Sequence, residues 1–262
     1  MAGSGGLDLT FIGSGNAFAD SRCWSGFVAN GRVMFDAPPS AVYGLKRAGL
    51  AIDQIETVLI SHFHGDHFFG LPFLLLEFAF PGAAGGRTPR RTRDLTIVGP
   101  PGIEEKVEQL AEMAFPSLLN DRSPLGPQSY RRCYVEMEPG DERQVGDLRV
   151  SAARMNHAEG ILPVALGFRV AMDRRVLAYT GDSGWCGGLF DIGRGADVYV
   201  CDCNYASGRN LPEHLTLDEV RDLRAKLDPR TEMILTHLGH DERPTDMPRT
   251  QVASDLARFR FK

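Results

Sequence analysis

The stretch Ser61-His62-Phe63-His64-Gly65-Asp66-His67 places four residues of metal-ligand type within six positions. It follows an apolar segment, residues 56–61, that is predicted to be a buried strand. Side chains two positions apart in an extended chain lie on the same side, so His62 and His64 can bind one cation together. Surface histidines at a strand end are the alternative, but four ligand types so close together favour a metal site.

Gly65 permits a sharp turn directly after the histidine pair. That turn can direct Asp66 and His67 toward a second position beside the first. Imidazole and carboxylate groups suit zinc, and also iron or manganese. The stretch therefore predicts two adjacent divalent metal ions.

Three more candidate ligands come directly after predicted strands elsewhere in the chain. They are His157, Asp182 and His237, after the segments 148–155, 176–180 and 233–236. Rigid strand ends are suitable supports for a preorganised metal site. A carboxylate such as Asp182 can bridge two cations.

The other segments alternate between strand and helix patterns. Strands are predicted at 7–12, 27–30, 32–36, 95–98, 130–137, 166–170 and 198–201, and helices at 40–48, 102–114, 217–226 and 250–258. Asn30-Gly31 indicates a tight hairpin between two of the strands. Two strand-rich halves, each ending in helices and joined without a linker, predict one domain over 1–262 with helices outside two packed sheets.

Residues 81–93 are rich in glycine, proline and arginine. We expect a mobile loop there. Its function has two interpretations: a solvated surface connection, which the composition favours, or a substrate-facing arm that binds phosphate.

The composition limits the function classes. The 262 residues carry a net charge of -5 and are 43% hydrophobic, which is typical of a globular protein without a global basic balance for nucleic acid. The longest apolar run, residues 68–80, is too short and too interrupted to span a membrane. Five cysteines without a disulfide-like spacing favour a reducing, cytoplasmic location.

The order of these motifs resembles the metallo-β-lactamase superfamily across nearly the whole chain. The segments TFIGSGNAF (10–18) and HGDHFFGLPFLL (64–75) resemble its ribonuclease Z-like branch. The resemblance implies a four-layer αβ/βα sandwich with two mixed sheets flanked by helices and the metals at one sheet edge. It implies one metal on His62, His64 and His157, a second on Asp66, His67 and His237, and Asp182 as the bridge.

The same resemblance implies a leaving-group pair. Ribonuclease Z-like enzymes place a glutamate after a strand and pair it with the histidine of a short His-x-Thr motif. Here Asp202 follows the strand pattern and His214-Leu215-Thr216 is similar to that motif. For His214 the alternative is a helix-entry residue beside Thr216 as N-cap.

One departure from ribonuclease Z concerns the substrate. That enzyme has a long flexible arm for transfer RNA between the isolated histidine and the bridging aspartate. In this chain His157 and Asp182 are only 25 positions apart, enough for two strands. Specific binding of transfer RNA is therefore not expected.

These residues lead to a specific functional hypothesis. A hydroxide bridging two divalent metals, zinc with manganese or iron as alternatives, would attack a small or single-stranded phosphodiester. Asp66 would orient the nucleophile, and His214 supported by Asp202 would act as general acid. Family relatives are often dimers, so the resemblance allows a homodimer, but the sequence itself does not determine the oligomeric state.

Three other functions stay open at this point. A lactonase or other carboxyl-ester hydrolase could use the same site. A diiron redox protein is disfavoured because the ligand set is complete for hydrolysis and no flavin-binding domain is attached. A non-enzymatic binding module is the least favoured, since it has no need for seven correctly typed ligands.

Overall fold

The computed structural model describes residues 6–80, 91–120, 128–162, 164–209 and 212–262. Its strands are β1 (Leu7–Gly13), β2 (Gly26–Ala29), β3 (Val33–Phe35), β4 (Thr57–Leu59), β5 (Leu95–Gly99), β6 (Arg132–Glu136), β7 (Glu142–Val145), β8 (Leu148–Met155), β9 (Ala165–Met172), β10 (Arg175–Tyr179), β11 (Val198–Asp202), β12 (Glu232–Thr236), β13 (Thr250–Val252) and β14 (Arg258–Phe261). Its α-helices are α1 (Ala41–Arg47), α2 (Gly65–Phe68), α3 (Leu71–Ala79), α4 (Ile103–Ala114), α5 (Gly188–Gly193) and α6 (Leu217–Lys226), and a 3₁₀ turn spans Ile52–Gln54.

The strands form two seven-stranded mixed sheets. The first has the order β14-β1-β2-β3-β4-β5-β6 and the second β13-β12-β11-β10-β9-β8-β7. In the first sheet β3 to β6 are parallel, and in the second β10 to β13 are parallel. Helices cover the outer faces, so the predicted sandwich of two mixed sheets flanked by helices is confirmed.

Three apolar clusters correspond to the three contacts between layers. The central one lies between the sheets and contains inward side chains such as Phe27, Phe35 and Tyr179. A second packs the first sheet against α1, α3 and α4, and a third packs the second sheet against α5 and α6. Burial of this apolar surface is the main force that holds the four layers together.

The sheet connections bring several strand ends to one edge. Since β3 and β4 are parallel, as are β10, β11 and β12, their carboxyl ends lie on one side of each sheet. β8 has the same direction as β10 because both are antiparallel to the intervening β9. The residues that follow these strands are therefore candidates for one shared site.

The hairpin predicted over Asn30-Gly31 is confirmed. β2 and β3 pair antiparallel, with Ala29 opposite Val33. Asn30 and Gly31 have φ of 49° and 67°, the left-handed pair that a type I′ turn requires. This turn determines which residues of β3 face the central core.

The predicted helix at 250–258 is wrong. Residues Thr250–Val252 form β13, parallel to β12, and Arg258–Phe261 form β14, antiparallel to β1. Phe259 and Phe261 pack on the central cluster, and Arg258 and Arg260, which alternate with them, are exposed. The Arg-Phe-Arg-Phe alternation has the period of a strand, and pairing with β1 outweighs the local helical pattern.

Most of the arginine-rich segment 81–93 lies outside the described residues. Arg91, near its end, differs from the solvent exposure expected for this segment because it is only 2% exposed, whereas the Arg93 side chain is 54% exposed. The Arg91 guanidinium lies 4.3 Å from the centroid of the Phe78 ring and donates to the backbone oxygens of Asp53 and Asp94. The Arg91 side chain therefore packs in the interior through a cation–π contact and two hydrogen bonds. The choice between the two interpretations of the segment stays open.

Two predictions about the whole chain have different outcomes. In the part of the chain that the structure describes, no helix has the length and apolarity needed to cross a bilayer. The assignment of 1–262 to one domain stays a prediction.

Replacement of Phe27 by alanine tests the contact between the sheets. The ring is fully buried, 4.5 Å from the Phe35 ring and 5.2 Å from that of Tyr179 on the other sheet. We expect Phe27→Ala to lower the free energy of unfolding by about 3–5 kcal/mol, because it leaves a cavity. Chemical denaturation of metal-free protein measures this change.

Phe18→Ala is the matched control, since Phe18 is 94% exposed. Its effect should stay within about 0.5 kcal/mol. Equal effects of the two substitutions would contradict the role given to Phe27.

Candidate metal centre

The structure brings all seven predicted metal ligands together at the shared edge of the sheets. Every one of them follows a strand or starts a helix next to one, and their donor atoms form two groups. The first group is His62, His64 and His157, and the second is Asp66, His67, Asp182 and His237, with the donor atoms of each group within 4.8 Å of one another.

The chain enters this edge through β4 and turns at Gly65. The turn is helical, because Gly65 begins α2 with His64 as N-cap. A Cβ at Gly65 would lie only 2.9 Å from the ring of Phe69, so the glycine allows this ring to pack against the turn. As a result Asp66 and His67 lie in the first helical turn, beside the two preceding histidines.

The first group consists of three imidazoles. His157 Nε2 lies 3.0 Å from His64 Nδ1, and His62 Nε2 is buried with no hydrogen-bond partner in the part of the chain that the structure describes. A buried, unpartnered nitrogen is costly unless something binds it. Three converging imidazole nitrogens are suited to a cation such as zinc.

The second group has the spacing of a tetrahedral metal site. The nitrogen His67 Nε2 is 3.3 Å from His237 Nε2, 3.3 Å from Asp66 Oδ2 and 3.2 Å from Asp182 Oδ1. His237 Nε2 is 3.5 Å from Asp66 Oδ2 and 3.3 Å from Asp182 Oδ1. A tetrahedral cation with bonds of about 2.0–2.1 Å needs ligand atoms about 3.3–3.4 Å apart, so these residues fit one.

Asp182 faces both groups with different oxygen atoms. Its Oδ1 belongs to the second group, whereas Oδ2 lies 3.8 Å from both His62 Nε2 and His157 Nε2. Gly181 before it has a φ of 59°, and a Cβ there would lie 2.6 Å from that of Ser61. The glycine therefore lets the two sheets approach closely enough for Asp182 to stand between the groups.

The electrostatics differ between the two groups. Burial and the neighbouring imidazole of His67 hold the pKa of His62 well below its ordinary value. Burial and His157 likewise lower the pKa of His64. Neutral imidazoles with free lone pairs are the form that binds metal.

In the second group, carboxylates attract positive charge. Although burial opposes the imidazolium, Asp182 and neighbouring carboxylates raise the pKa of His237 to about 10. Asp182 and Asp36 similarly raise the pKa of His67 against the effect of burial. A divalent cation would replace these protons and compensate the buried carboxylate charge.

Asp36 is a site residue that the sequence analysis missed. It follows β3, is fully buried, and has a φ of 54°. Its Oδ2 accepts hydrogen bonds from His67 Nδ1 at 2.8 Å, Ser61 Oγ at 2.9 Å and Tyr179 OH at 2.6 Å, and its Oδ1 accepts one from Ser61 N at 2.7 Å. The available signal was a carboxylate at the end of the predicted strand 32–36.

Hydrogen bonds of this kind determine which imidazole nitrogen carries the proton. His67 Nδ1–H donates to Asp36, and His157 Nδ1–H donates to the backbone oxygen of Glu213 at 3.1 Å. Ser61 Oγ gives its own proton to Asp36, so it accepts from His62 Nδ1–H at 3.0 Å. In each of these three rings Nδ1 is the donor of such a bond, so Nε2 is the nitrogen left to bind a cation.

The predicted pair His214 and Asp202 is also present at this edge. His214 Nδ1 lies 2.9 Å from Asp202 Oδ2, and the His214 ring is stacked on His237 with centroids 5.2 Å apart. Although burial opposes its charge, Asp202 raises the pKa of His214. Thr216 is the N-cap of α6 through a capping box, so His214 combines a position at the helix entry with a contact to the site.

Comparison with known proteins agrees with this geometry. The family model described as a beta-lactamase superfamily domain matches residues 31–238, which is well over half of the chain. Ribonuclease Z of Methanothermobacter thermautotrophicus is 23% identical, and the alignment covers 98% of this chain and 97% of the relative. The predicted family resemblance is thereby confirmed.

Two solved structures have the same fold. Human tRNase Z, short form, superposes with a TM-score of 0.74 at 20% identity, covering 96% of this chain and 98% of that one. A diphosphatase from the PhnP family superposes with a TM-score of 0.67 at 20% identity, covering 98% of both chains.

Replacement of Asp36 by asparagine tests its support of the imidazoles. The asparagine side chain has nearly the volume of the aspartate. Its NH₂ group, however, must face at least one N–H or O–H group whose hydrogen bond the Asp36 carboxylate now accepts. We expect Asp36→Asn to lower the affinity for divalent cations about 10–100-fold, as loss of a partner behind a metal ligand commonly does. Competition titration against a chromophoric chelator measures the affinity.

Asp241→Asn provides the control, because the Asp241 side chain is 86% exposed and forms its ion pair with Arg22, away from the ligand groups. It should bind cations like the unaltered protein. A folded Asp36→Asn variant with unchanged affinity would argue against the supporting role.

Proposed function

We propose that this chain, which belongs to the beta-lactamase superfamily and is a metal-dependent hydrolase, hydrolyses small or single-stranded phosphodiesters. The observation that carries this proposal is the His214–Asp202 pair beside the two groups of metal ligands. Hydrolysis of a phosphodiester needs a nucleophile and a general acid that protonates the leaving oxygen. This edge of the sheets has groups suited to both roles.

The proposed metal assignment follows the two groups. One cation would be held by His62, His64 and His157 and the other by Asp66, His67 and His237, with Asp182 shared between them. Divalent metal ions in such a site act as Lewis acids and make hydroxide available at neutral pH. The ligand spacing of the second group supports zinc, with manganese or iron as alternatives.

Asp66 is assigned to orient the attacking water. Its side chain is 14% exposed, whereas that of Asp182 is 3% exposed and that of Asp202 is fully buried. Among these three carboxylates it is therefore the one most open to solvent and substrate. Only one oxygen of a carboxylate is needed as a ligand, so the other can accept a hydrogen bond from water.

His214 is assigned as the general acid. Its Nδ1–H is held by Asp202, which leaves Nε2 available on the opposite side of the ring. Although burial opposes the charge, Asp202 raises the pKa of His214 and so favours the protonated ring, and the side chain is 14% exposed. A histidine in this state can give a proton to an alkoxide or phenoxide as it leaves.

The substrate is proposed to be small or single-stranded. Between His157 and Asp182 the described residues consist of a short loop, β9, a tight turn and β10. This compact connection and the net charge of -5 argue against specific binding of transfer RNA. Ribonuclease Z and a diphosphatase are both among the similar proteins, which supports phosphorus as the centre attacked.

Hydrolysis of bis(p-nitrophenyl) phosphate tests the reaction class. We expect release of p-nitrophenol by protein loaded with zinc or manganese, loss of activity after chelation, and recovery when the metal is returned. A panel of lactones serves as the comparison. Turnover of lactones with no turnover of the phosphodiester would contradict the proposal.

The variant His214→Ala tests the general acid. Because a positioned acid typically contributes about 10²–10⁴-fold, kcat should fall by that range while the metal content stays unchanged. Elemental analysis of the same preparation supplies the metal content. Full activity in this variant would remove His214 from the mechanism.

A further inference from the structure

We infer that Asp202 is a positioning residue for two rings, holding both His214 and the proposed metal ligand His237. This inference deepens the proposed function, on whose metal site it rests. It assigns to one buried carboxylate a contribution to metal binding that is separate from its support of the general acid.

Asp202 is anchored at the end of β11. Its carboxylate is fully buried, and its Oδ2 accepts hydrogen bonds from Ser183 N at 3.0 Å and from His214 Nδ1 at 2.9 Å. Its Oδ1 is also buried but has no hydrogen-bond partner among the described residues. A buried, unpartnered carboxylate oxygen is costly and requires an explanation.

His237 needs an acceptor on the side where this oxygen lies. Its Nε2 belongs to the second ligand group, so a ring that binds a cation there must carry its proton on Nδ1. Two side-chain atoms lie near His237 Nδ1: Asn204 Nδ2 at 3.4 Å and Asp202 Oδ1 at 3.6 Å.

Asn204 cannot be the acceptor because its orientation is determined by a neighbour. Phe18 N donates to Asn16 Oδ1 at 3.0 Å, so Asn16 presents its Nδ2 to Asn204 Oδ1 at 2.8 Å. Asn204 therefore turns its own NH₂ group toward His237. Among the described residues this leaves Asp202 Oδ1 as the side-chain acceptor for the His237 Nδ1 proton.

The distance of 3.6 Å between His237 Nδ1 and Asp202 Oδ1 is that of an ion pair. It is longer than a hydrogen bond between a nitrogen and an oxygen, which measures about 2.7–3.2 Å. A small rotation of the His237 ring would close it. The rings of His67 and His157 already have acceptors for Nδ1–H at 2.8 and 3.1 Å. A partner behind a metal-binding imidazole orients the ring and increases its basicity, which is the role we assign to Asp202 Oδ1.

The variant Asp202→Asn separates the two roles. Ser183 N–H and His214 Nδ1–H both point at the Oδ2 position, so the amide oxygen of the new residue should occupy it. The NH₂ group then faces His237 Nδ1, where a donor cannot replace the lost acceptor. We expect the affinity for the cation that His237 would bind to fall about 10–100-fold.

The readout is a two-site titration with Zn²⁺ or Co²⁺ against a chromophoric chelator. His214→Ala is the first control and should bind both cations like the unaltered protein. Asn204→Ala is the second, because it removes the other neighbour of the same nitrogen, and its affinity should change less than twofold. Asp202→Glu keeps a carboxylate and should recover part of the lost affinity.

The outcomes are distinguishable. Asp202→Asn with two cations bound at unchanged affinity would overturn the inference. A lower melting temperature of the metal-free variant with unchanged cation affinity would reduce Asp202 to a purely structural role and also overturn it. If the unaltered protein binds two cations but hydrolyses no phosphodiester, the proposed function fails while the titration still decides this inference.

Discussion

The site depends on the burial of one carboxylate, that of Asp36. A buried charge is tolerated only when donors surround it, and here the donors come from both sheets: Ser61 and His67 from the first and Tyr179 from the second. The left-handed backbone of Asp36 aims the side chain inward, at a conformational cost that these hydrogen bonds offset. The same contact thus joins the sheets and orients a proposed metal ligand.

Asp202 has the corresponding position in the second sheet. It is the last residue of β11, is fully buried, and accepts hydrogen bonds from Ser183 and His214. Asp36, Asp202 and Asp182 thus place three buried carboxylates within 4 Å of imidazole nitrogens at this edge. Such a concentration of negative charge is stable only with compensating positive charge. Without metal, the raised pKa values of His67 and His237 favour protons on these rings. In the proposed enzyme, divalent cations would supply the positive charge instead.

Some errors of the sequence-based predictions have a common cause. The helix predicted at 250–258 and the solvent exposure expected for Arg91 were inferred from local pattern or composition. Both failed because a distant partner determined the outcome: β1 and β12 for the two C-terminal strands, and the Phe78 ring for the arginine. Asp36 was overlooked for the same reason, since a single aspartate after a strand carries no local signal of its four hydrogen bonds.

The sequence by itself determined the residue types of the site and their attachment to strand ends. Those properties are local: a motif of four ligands within six positions, and apolar runs that end at a histidine or an aspartate. Only the tertiary structure decided how closely the ligands approach one another, which oxygen of Asp182 faces each group, that Asp36 lies behind His67, and that Asp202 faces His237 as well as His214. These relations depend on distances of 3–4 Å between residues far apart in the chain, which sheet pairing and the packing of the two sheets create.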